Sequence, residues 1–167
     1  MDIYTTNPAE LAQTPLGAGF VDTEKLPWVD VAPGVNIQFK VASCCNKTGR
    51  YVLLSKYAPG TQIATHRHSG AVIAITLQGS WTYLEEDFVA TKGCIAFETA
   101  NSNHTLKVLD DSEEELILLT IIEGSLVSYD DKGHILGIHD AQSHLQLYLA
   151  LAAQQGLDID ESLIYRH

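Results

Sequence analysis

Three histidines in the middle of the chain have the residue type and the spacing of a metal-binding site. His66 and His68 are two residues apart in an apolar, β-branched run, so on a strand both imidazoles point to the same face. His104 follows a second apolar run, eleven residues after Gly93, and Gly60 precedes the first run. Three histidines from two strand-like segments, each opened by a glycine turn, predict a divalent metal site in a small β-barrel.

The other four histidines lie outside this frame. His139 and His144 flank the start of a predicted helix, and we expect them at the surface or at a subunit interface. His134 and the terminal His167 have no partner at a ligand spacing. An isolated His-x-His pair on a strand is common without a metal. The flanking glycines and a third histidine in register are what favour a metal here.

The pattern resembles the two motifs of the cupin superfamily. The motif glycines and histidines are present at the family spacing: Gly60, His66, His68, Gly79, Gly93 and His104. Val72 or Ile73 stands where the family has its glutamate ligand. Three further positions depart from the second motif, with Thr99, Asn101 and Val108 in place of proline, glycine and asparagine. The resemblance therefore implies a site with three histidine ligands and without the motif carboxylate.

A three-histidine site of this kind is similar to those of acetylacetone-cleaving dioxygenase and 2,4'-dihydroxyacetophenone dioxygenase, which group with the cupin domain of the ChrR anti-sigma factors. The resemblance covers residues 26–128 and includes Glu98, six residues before His104. The ChrR type usually keeps the motif glutamate, which favours the dioxygenases. Ser80 stands where the acetylacetone enzyme has an arginine, so that enzyme's own substrate is not carried over.

The ligand type allows several metals, because imidazole nitrogen binds iron, zinc, copper and nickel. We expect one divalent metal per chain, with Fe(II) favoured and zinc or nickel as alternatives. Fe(II) on three ligands leaves positions for a chelating ketone and for O2. Since three neutral ligands leave the full 2+ charge on the metal, such a site should favour an anionic chelator such as the enolate of a β-diketone.

Three residues near the ligands are candidates for supporting roles. Glu98 shares a strand face with Cys94 and Ala96, and it could orient a ligand imidazole or hold a substrate proton. Trp81 and Tyr83 alternate with Thr82 and are expected to wall the substrate pocket. The alternatives are a solvent-facing Glu98 and aromatic residues that only fill the core.

Many short β-rich runs separated by Gly, Pro, Asn and Asp turns predict an all-β fold, a small jelly-roll-like cupin barrel. We expect an N-terminal arm over residues 1–25, the barrel over 26–138 and a helix with a tail over 139–167. Asp140 and Gly156 are expected to cap that helix. Leu147 and Leu151 form a second apolar helix face, which either the arm or a partner subunit would cover.

Composition narrows the possible partners. The 167 residues carry a net charge of −11, which disfavours nucleic acid and anionic membranes as partners. No apolar run reaches the ~18 residues of a membrane span, and the N-terminus has no secretory pattern. Three cysteines, two of them adjacent, favour reduced structural thiols. We therefore expect a cytoplasmic protein that forms a homodimer or homotetramer.

The sequence thus predicts an Fe(II)-dependent dioxygenase that cleaves a C–C bond of a small diketone or hydroxyketone with O2. Two alternatives stay open. One is a zinc or nickel cupin with non-redox chemistry, and the other is a non-catalytic metal sensor of the ChrR type.

Overall fold

The structure, a computed structural model, describes residues 19–166. A short 3₁₀ helix over Thr23–Lys25 precedes fourteen strands, and one α-helix, α1, spans Ala141–Gln154. The strands are β1 Val29–Asp30, β2 Ile37–Cys44, β3 Tyr51–Tyr57, β4 His66–His68, β5 Val72–Gln78, β6 Ser80–Tyr83, β7 Ala90–Thr91, β8 Ile95–Glu98, β9 Asn103–His104, β10 Leu106–Val108, β11 Leu116–Ile122, β12 Leu126–Tyr129, β13 Ile135–His139 and β14 Tyr165–Arg166. A second 3₁₀ helix covers Glu161–Leu163.

The strands form three sheets. The largest has the order β1-β2-β3-β11-β5-β8, with β14 beside β2. The second has the order β13-β12-β4-β9, and the third has the order β10-β6-β7. The predicted all-β cupin fold is confirmed, although the three sheets form a β-sandwich and do not close into one barrel.

Side-chain alternation in the large sheet separates an inner face from an outer face. Along β5, Val72, Ala74 and Thr76 are buried, and the residues between them are more exposed. The sequence suggests one strand from Ala71 to Tyr83, but the structure ends β5 before Gly79. This glycine has φ of 78°, and a Cβ there would lie 2.8 Å from the Cα of Leu116. A side chain would be strained at this position, so the glycine allows the chain to turn from the large sheet into β6.

The C-terminal helix begins and ends where the sequence predicts. The Asp140 carboxylate accepts a hydrogen bond from Ser143 N at 2.8 Å, and Asp140 N donates to Ser143 Oγ at 2.7 Å. This capping box satisfies backbone donors that the first helical turn leaves free. Gly156 follows the last turn with φ of 68°. Tyr148 is fully buried, its ring 5.5 Å from that of Phe39.

The second apolar face of α1 is covered within the chain. Leu147 and Leu151 are half-buried and pack against the same core cluster as Tyr148, Leu26 and Val29. The reason for placing a subunit contact on this helix is therefore lost. The predicted arm lies mostly outside the described residues, and the domain boundaries stay predictions. Within residues 19–166, no helix has both the length and the hydropathy to cross a membrane.

Candidate metal centre

Two short strands of the second sheet bring the three histidines together. β4 and β9 are antiparallel neighbours, and His66 lies directly opposite His104 in their register. His68 is two residues further along β4, so it shares the face of His66 as predicted. The three side chains are buried, and one ligand nitrogen from each lies within 4.8 Å of the others. This is the only cluster of three or more metal-ligating side chains in the described part of the chain.

The hydrogen-bonding state of these imidazoles fits a metal. His66 Nδ1 lies 3.1 Å from the carbonyl of Ala64, which can only accept a bond, so this nitrogen carries the proton and leaves Nε2 with its lone pair. His68 Nδ1 and His104 Nε2 are buried without any hydrogen-bond partner. An unpaired buried polar atom costs about 1–3 kcal/mol. A bound cation would remove that cost.

Burial also keeps two of the ligands neutral. It lowers the pKa of His68 to about 4, even though the nearby Glu98 carboxylate raises it. Burial also lowers the pKa of His66, and the nearby His104 adds to this effect. Neutral imidazole is the form that binds a metal, so at neutral pH neither residue needs to lose a proton first.

Glu98 supplies a carboxylate to the same cluster. Its Oε2 lies 3.0 Å from His104 Nε2 and 3.5 Å from His68 Nε2, within reach but without hydrogen-bond geometry. Its Oε1 accepts a hydrogen bond from Tyr83 Oη at 2.5 Å. Burial alone would raise the pKa of Glu98, but His104, Tyr83 and His68 together lower it below its usual value. Glu98 is therefore ionised at neutral pH, and the cluster is not purely neutral.

The position of Glu98 clarifies the missing motif glutamate. Val72, at one of the two candidate positions, points inward and is paired across the sheet with Glu98 on β8. Ile73 points to the opposite face. A carboxylate therefore reaches the site from the strand next to the usual one. The sequence spacing could not show this, because it depends on the register between β5 and β8.

A cavity of about 240 Å³ adjoins the cluster. His66, His68, Glu98 and Tyr83 are among its lining residues, and most of the others are apolar. Tyr83 lies on the cavity wall, and its role toward a substrate stays a prediction. Trp81 is not among the lining residues, so this cavity does not support its predicted pocket role, which also stays a prediction. It is fully buried in a core cluster, where its Nε1 donates to Thr76 Oγ1 at 2.9 Å.

Sequence reasoning missed two cavity residues near the C-terminus. His139 and His144 line the cavity together with Leu147, instead of lying only at the surface or an interface. The helical spacing contained a signal for this: His144 lies four residues before Tyr148, on the side of α1 that is buried against the sheet. A search based only on metal-ligand spacing does not use that signal.

Comparisons with known proteins identify the family and the fold. Residues 17–124 match the family model described as the ChrR cupin-like domain. An RmlC-like cupin protein from Ralstonia eutropha JMP134 is 30% identical, with a TM-score of 0.78 over 86% of this chain and 92% of that chain. An acetylacetone dioxygenase from Acinetobacter johnsonii is 15% identical, with a TM-score of 0.70 over 83% and 95%. At that identity the likeness shows the fold alone. No curated protein matched significantly by sequence.

Proposed function

The chain belongs to the ChrR cupin-like domain family, and we propose that it is an Fe(II)-dependent dioxygenase that cleaves a C–C bond of a small diketone or hydroxyketone. The observation that carries the proposal is the set of three buried histidines, two of them with an unpaired nitrogen, beside an ionised carboxylate and an apolar cavity. The fold shared with the Acinetobacter johnsonii acetylacetone dioxygenase is one on which this reaction class is found.

Each residue of the site has a separate role in the proposed reaction. His66, His68 and His104 would hold the metal, which when bound supplies a Lewis acid with open positions for a chelating enolate and O2. Glu98 lines the cavity and is ionised, so it can take the proton that a ketone loses when it becomes an enolate. The Tyr83 hydroxyl holds the other Glu98 oxygen and fixes the direction of the carboxylate. The apolar lining excludes water from the enolate.

The size of the cavity limits the substrate. A volume of about 240 Å³ is below the ~300–1,000 Å³ of typical drug-sized ligand pockets. The ligand should therefore be small and mostly apolar, with its oxygens gathered at one end. Overall, one ketone and one O2 give two carbonyl-containing fragments that together retain both oxygen atoms.

The experiment begins with metal-free protein loaded with Fe(II) under anaerobic conditions. Adding pentane-2,4-dione or an aryl α-hydroxyketone should change the visible spectrum before any oxygen is present, because the enolate would chelate the metal. Air should then be consumed at about one O2 per ketone, a ratio set by the C–C cleavage chemistry. The zinc-loaded protein is the control, and it should bind the ketone without consuming oxygen.

Two other results would each select another function. Ketone binding without oxygen use by the iron protein would favour a non-redox zinc or nickel enzyme. If the protein holds one metal per chain but binds neither the diketone nor the hydroxyketone, a metal-sensing domain is favoured, and the family match supports that function. The metal content of protein purified without chelators or an affinity tag identifies the resident ion in both cases.

A further inference from the structure

The C-terminal region contributes a wall of the cavity that lies beyond the family match. The match ends at residue 124, whereas His139, His144 and Leu147 lie after it and line the same cavity as His66 and His68. His144 and His68 line one cavity of only about 240 Å³, so its small size brings them near each other. A ligand that chelates at the three histidines would therefore have the helix wall within reach of its other end.

The ring of His144 is held in one orientation and one tautomer. Its Nδ1 lies 3.1 Å from the carbonyl of Asp140, so this nitrogen is the donor and Nε2 keeps a lone pair. The ring stacks on the buried Tyr51, with ring centroids 4.9 Å apart. Burial lowers the pKa of His144 to about 4, so the ring is neutral at physiological pH. Among residues 19–166, nothing forms a hydrogen bond with Nε2.

We propose that His144 Nε2 is the second polar contact of the substrate and accepts a hydrogen bond from a donor at the end away from the chelating oxygens. This rests on the proposed function. Most of the remaining cavity wall is apolar, with Val72, Ile122 and Leu126 among its residues. The geometry therefore selects a small diketone or hydroxyketone with an apolar middle and a distal hydroxyl or N–H group.

The test uses two matched ligands, hexane-2,4-dione and 6-hydroxyhexane-2,4-dione, which differ by one terminal hydroxyl. Binding to the zinc-loaded protein is measured by calorimetry, so no turnover is needed. The wild type should bind the hydroxylated ligand roughly tenfold more tightly, a preference equal to about 1.4 kcal/mol. His144→Phe keeps a flat ring against Tyr51 but removes the acceptor, and it should lose the preference. His144→Gln restores an acceptor and should recover part of it.

Each variant must have the same zinc content and the same circular dichroism spectrum as the wild type. His134→Gln, which changes an exposed histidine, is the matched control. If the wild type shows no preference for the hydroxylated ligand, or if His144→Phe keeps the full preference, the role of His144 is wrong. Neither outcome would contradict the proposed function. If neither ketone binds any form of the metal-loaded protein, ketone chelation itself is wrong, and this proposal falls with it.

A separate observation concerns the side of the large sheet that points away from the cavity. We call the part of this side that β3, β11, β5 and β8 form the outer face. Nine of its residues are apolar: Val52, Ile73, Ile75, Leu77, Ile95, Phe97, Ile117, Leu119 and Ile121. At its β3 border, Leu54 and Lys56 lie on the same side, opposite Leu119 and Ile117. The register aligns them across four strands, with Phe97, Ile73, Ile121 and Val52 in one row. The inward residues between them, such as Val72 and Leu118, line the cavity.

Within the described residues, this face is not covered by another layer. Phe97 is 75% exposed and Ile95 is 51% exposed, and none of the nine residues belongs to either core cluster. Helix α1 packs against β1 and β2 at the other end of the sheet. An antiparallel sheet with one solvated side normally shows polar residues there. A continuous apolar face of this kind marks a contact surface.

We infer that the outer face binds the same face of a second copy of the chain, as a twofold dimer. Each chain carries a charge of −11, so two copies repel one another over most of their surface. The outer face has no acidic residue, and its border residue Lys56 lies over the Trp28 ring, so two copies can approach there without placing acids together. Ordinary strand spacing makes it roughly 14 by 14 Å between Cα atoms. Between Cα atoms that is about 200 Å², roughly a quarter of the ~800 Å² per partner of a standard interface, so the outer face would form its apolar centre and the flanking residues its larger rim.

Light scattering on the full chain at micromolar concentration should give twice the 18.3 kDa chain mass. Phe97→Glu should convert the dimer to a folded monomer, because it places two like charges in the contact. Leu136→Glu changes a residue that is 64% exposed on β13, away from the outer face, and should leave the dimer intact. A monomeric wild type, including one whose own N-terminal residues cover the face, would overturn the inference. A dimer broken by Leu136→Glu and not by Phe97→Glu would do the same.

Discussion

His104→Ala is expected to abolish metal binding as completely as His66→Ala does. Three ligands leave no redundancy, and His104 is the only one of them on β9, directly opposite His66. With two imidazoles left, the protein supplies at most half of a tetrahedral ligand set, and water molecules must supply the other ligands. The protein therefore loses its metal and all activity that depends on it.

The measurement is metal per chain after loading and exhaustive dialysis. His134→Ala is the matched control, because it removes an imidazole that is largely exposed and bonded only to Asp130. It should keep about one metal per chain, as a site with intact ligands does. Circular dichroism shows whether each variant is folded. Retention of most of the metal by a folded His104→Ala protein would show that the ligand set is wrong.

The second large effect is expected from Glu98→Gln, which should keep the metal but slow oxygen consumption about 10–100-fold. The change preserves shape and removes the negative charge that lies 3.0 Å from His104 and 3.5 Å from His68. A glutamine cannot take a proton from the ketone, and it can no longer orient the imidazoles by charge. Tyr83→Phe should have a smaller effect, because it removes only the hydrogen bond that directs the carboxylate.

The turnover number and the metal content are measured on the same preparations, with Glu86→Gln as an exposed control. An unchanged turnover number in Glu98→Gln would remove this residue from the reaction. Loss of the metal together with the activity would instead make Glu98 a fourth ligand. In that case the carboxylate of the usual cupin site would be present but supplied by β8 and not by β5.

The parts of the site that follow from local geometry could be predicted from the sequence. Strand periodicity is enough to place His66 and His68 on one face. The helix boundaries at Asp140 and Gly156 depend only on capping chemistry within a few residues. These two features need no knowledge of long-range packing. The approach of His104 depends on the pairing of β4 with β9, and the sequence indicated it through the resemblance to the cupin motifs.

Other features depend on contacts between distant segments, which sequence spacing does not contain. The approach of Glu98 to the ligands results from the register between β5 and β8. Trp81 and Tyr83 lie on the same face of β6, yet only Tyr83 lines the cavity. His144 is 40 residues from His104 and 76 residues from His68, and only the docking of α1 on β2 brings it to the cavity.

The polar cluster lies where all three sheets meet. The histidines belong to the second sheet, Glu98 to the large sheet and Tyr83 to the third. A cation held there would act as a cross-link between layers that are otherwise joined mainly by apolar packing. Removing it should let the layers slide against one another, and a core substitution far from the cavity could disturb the chemistry by shifting one layer by less than an ångström. The rigidity of this domain and its reactivity would therefore depend on the same cation.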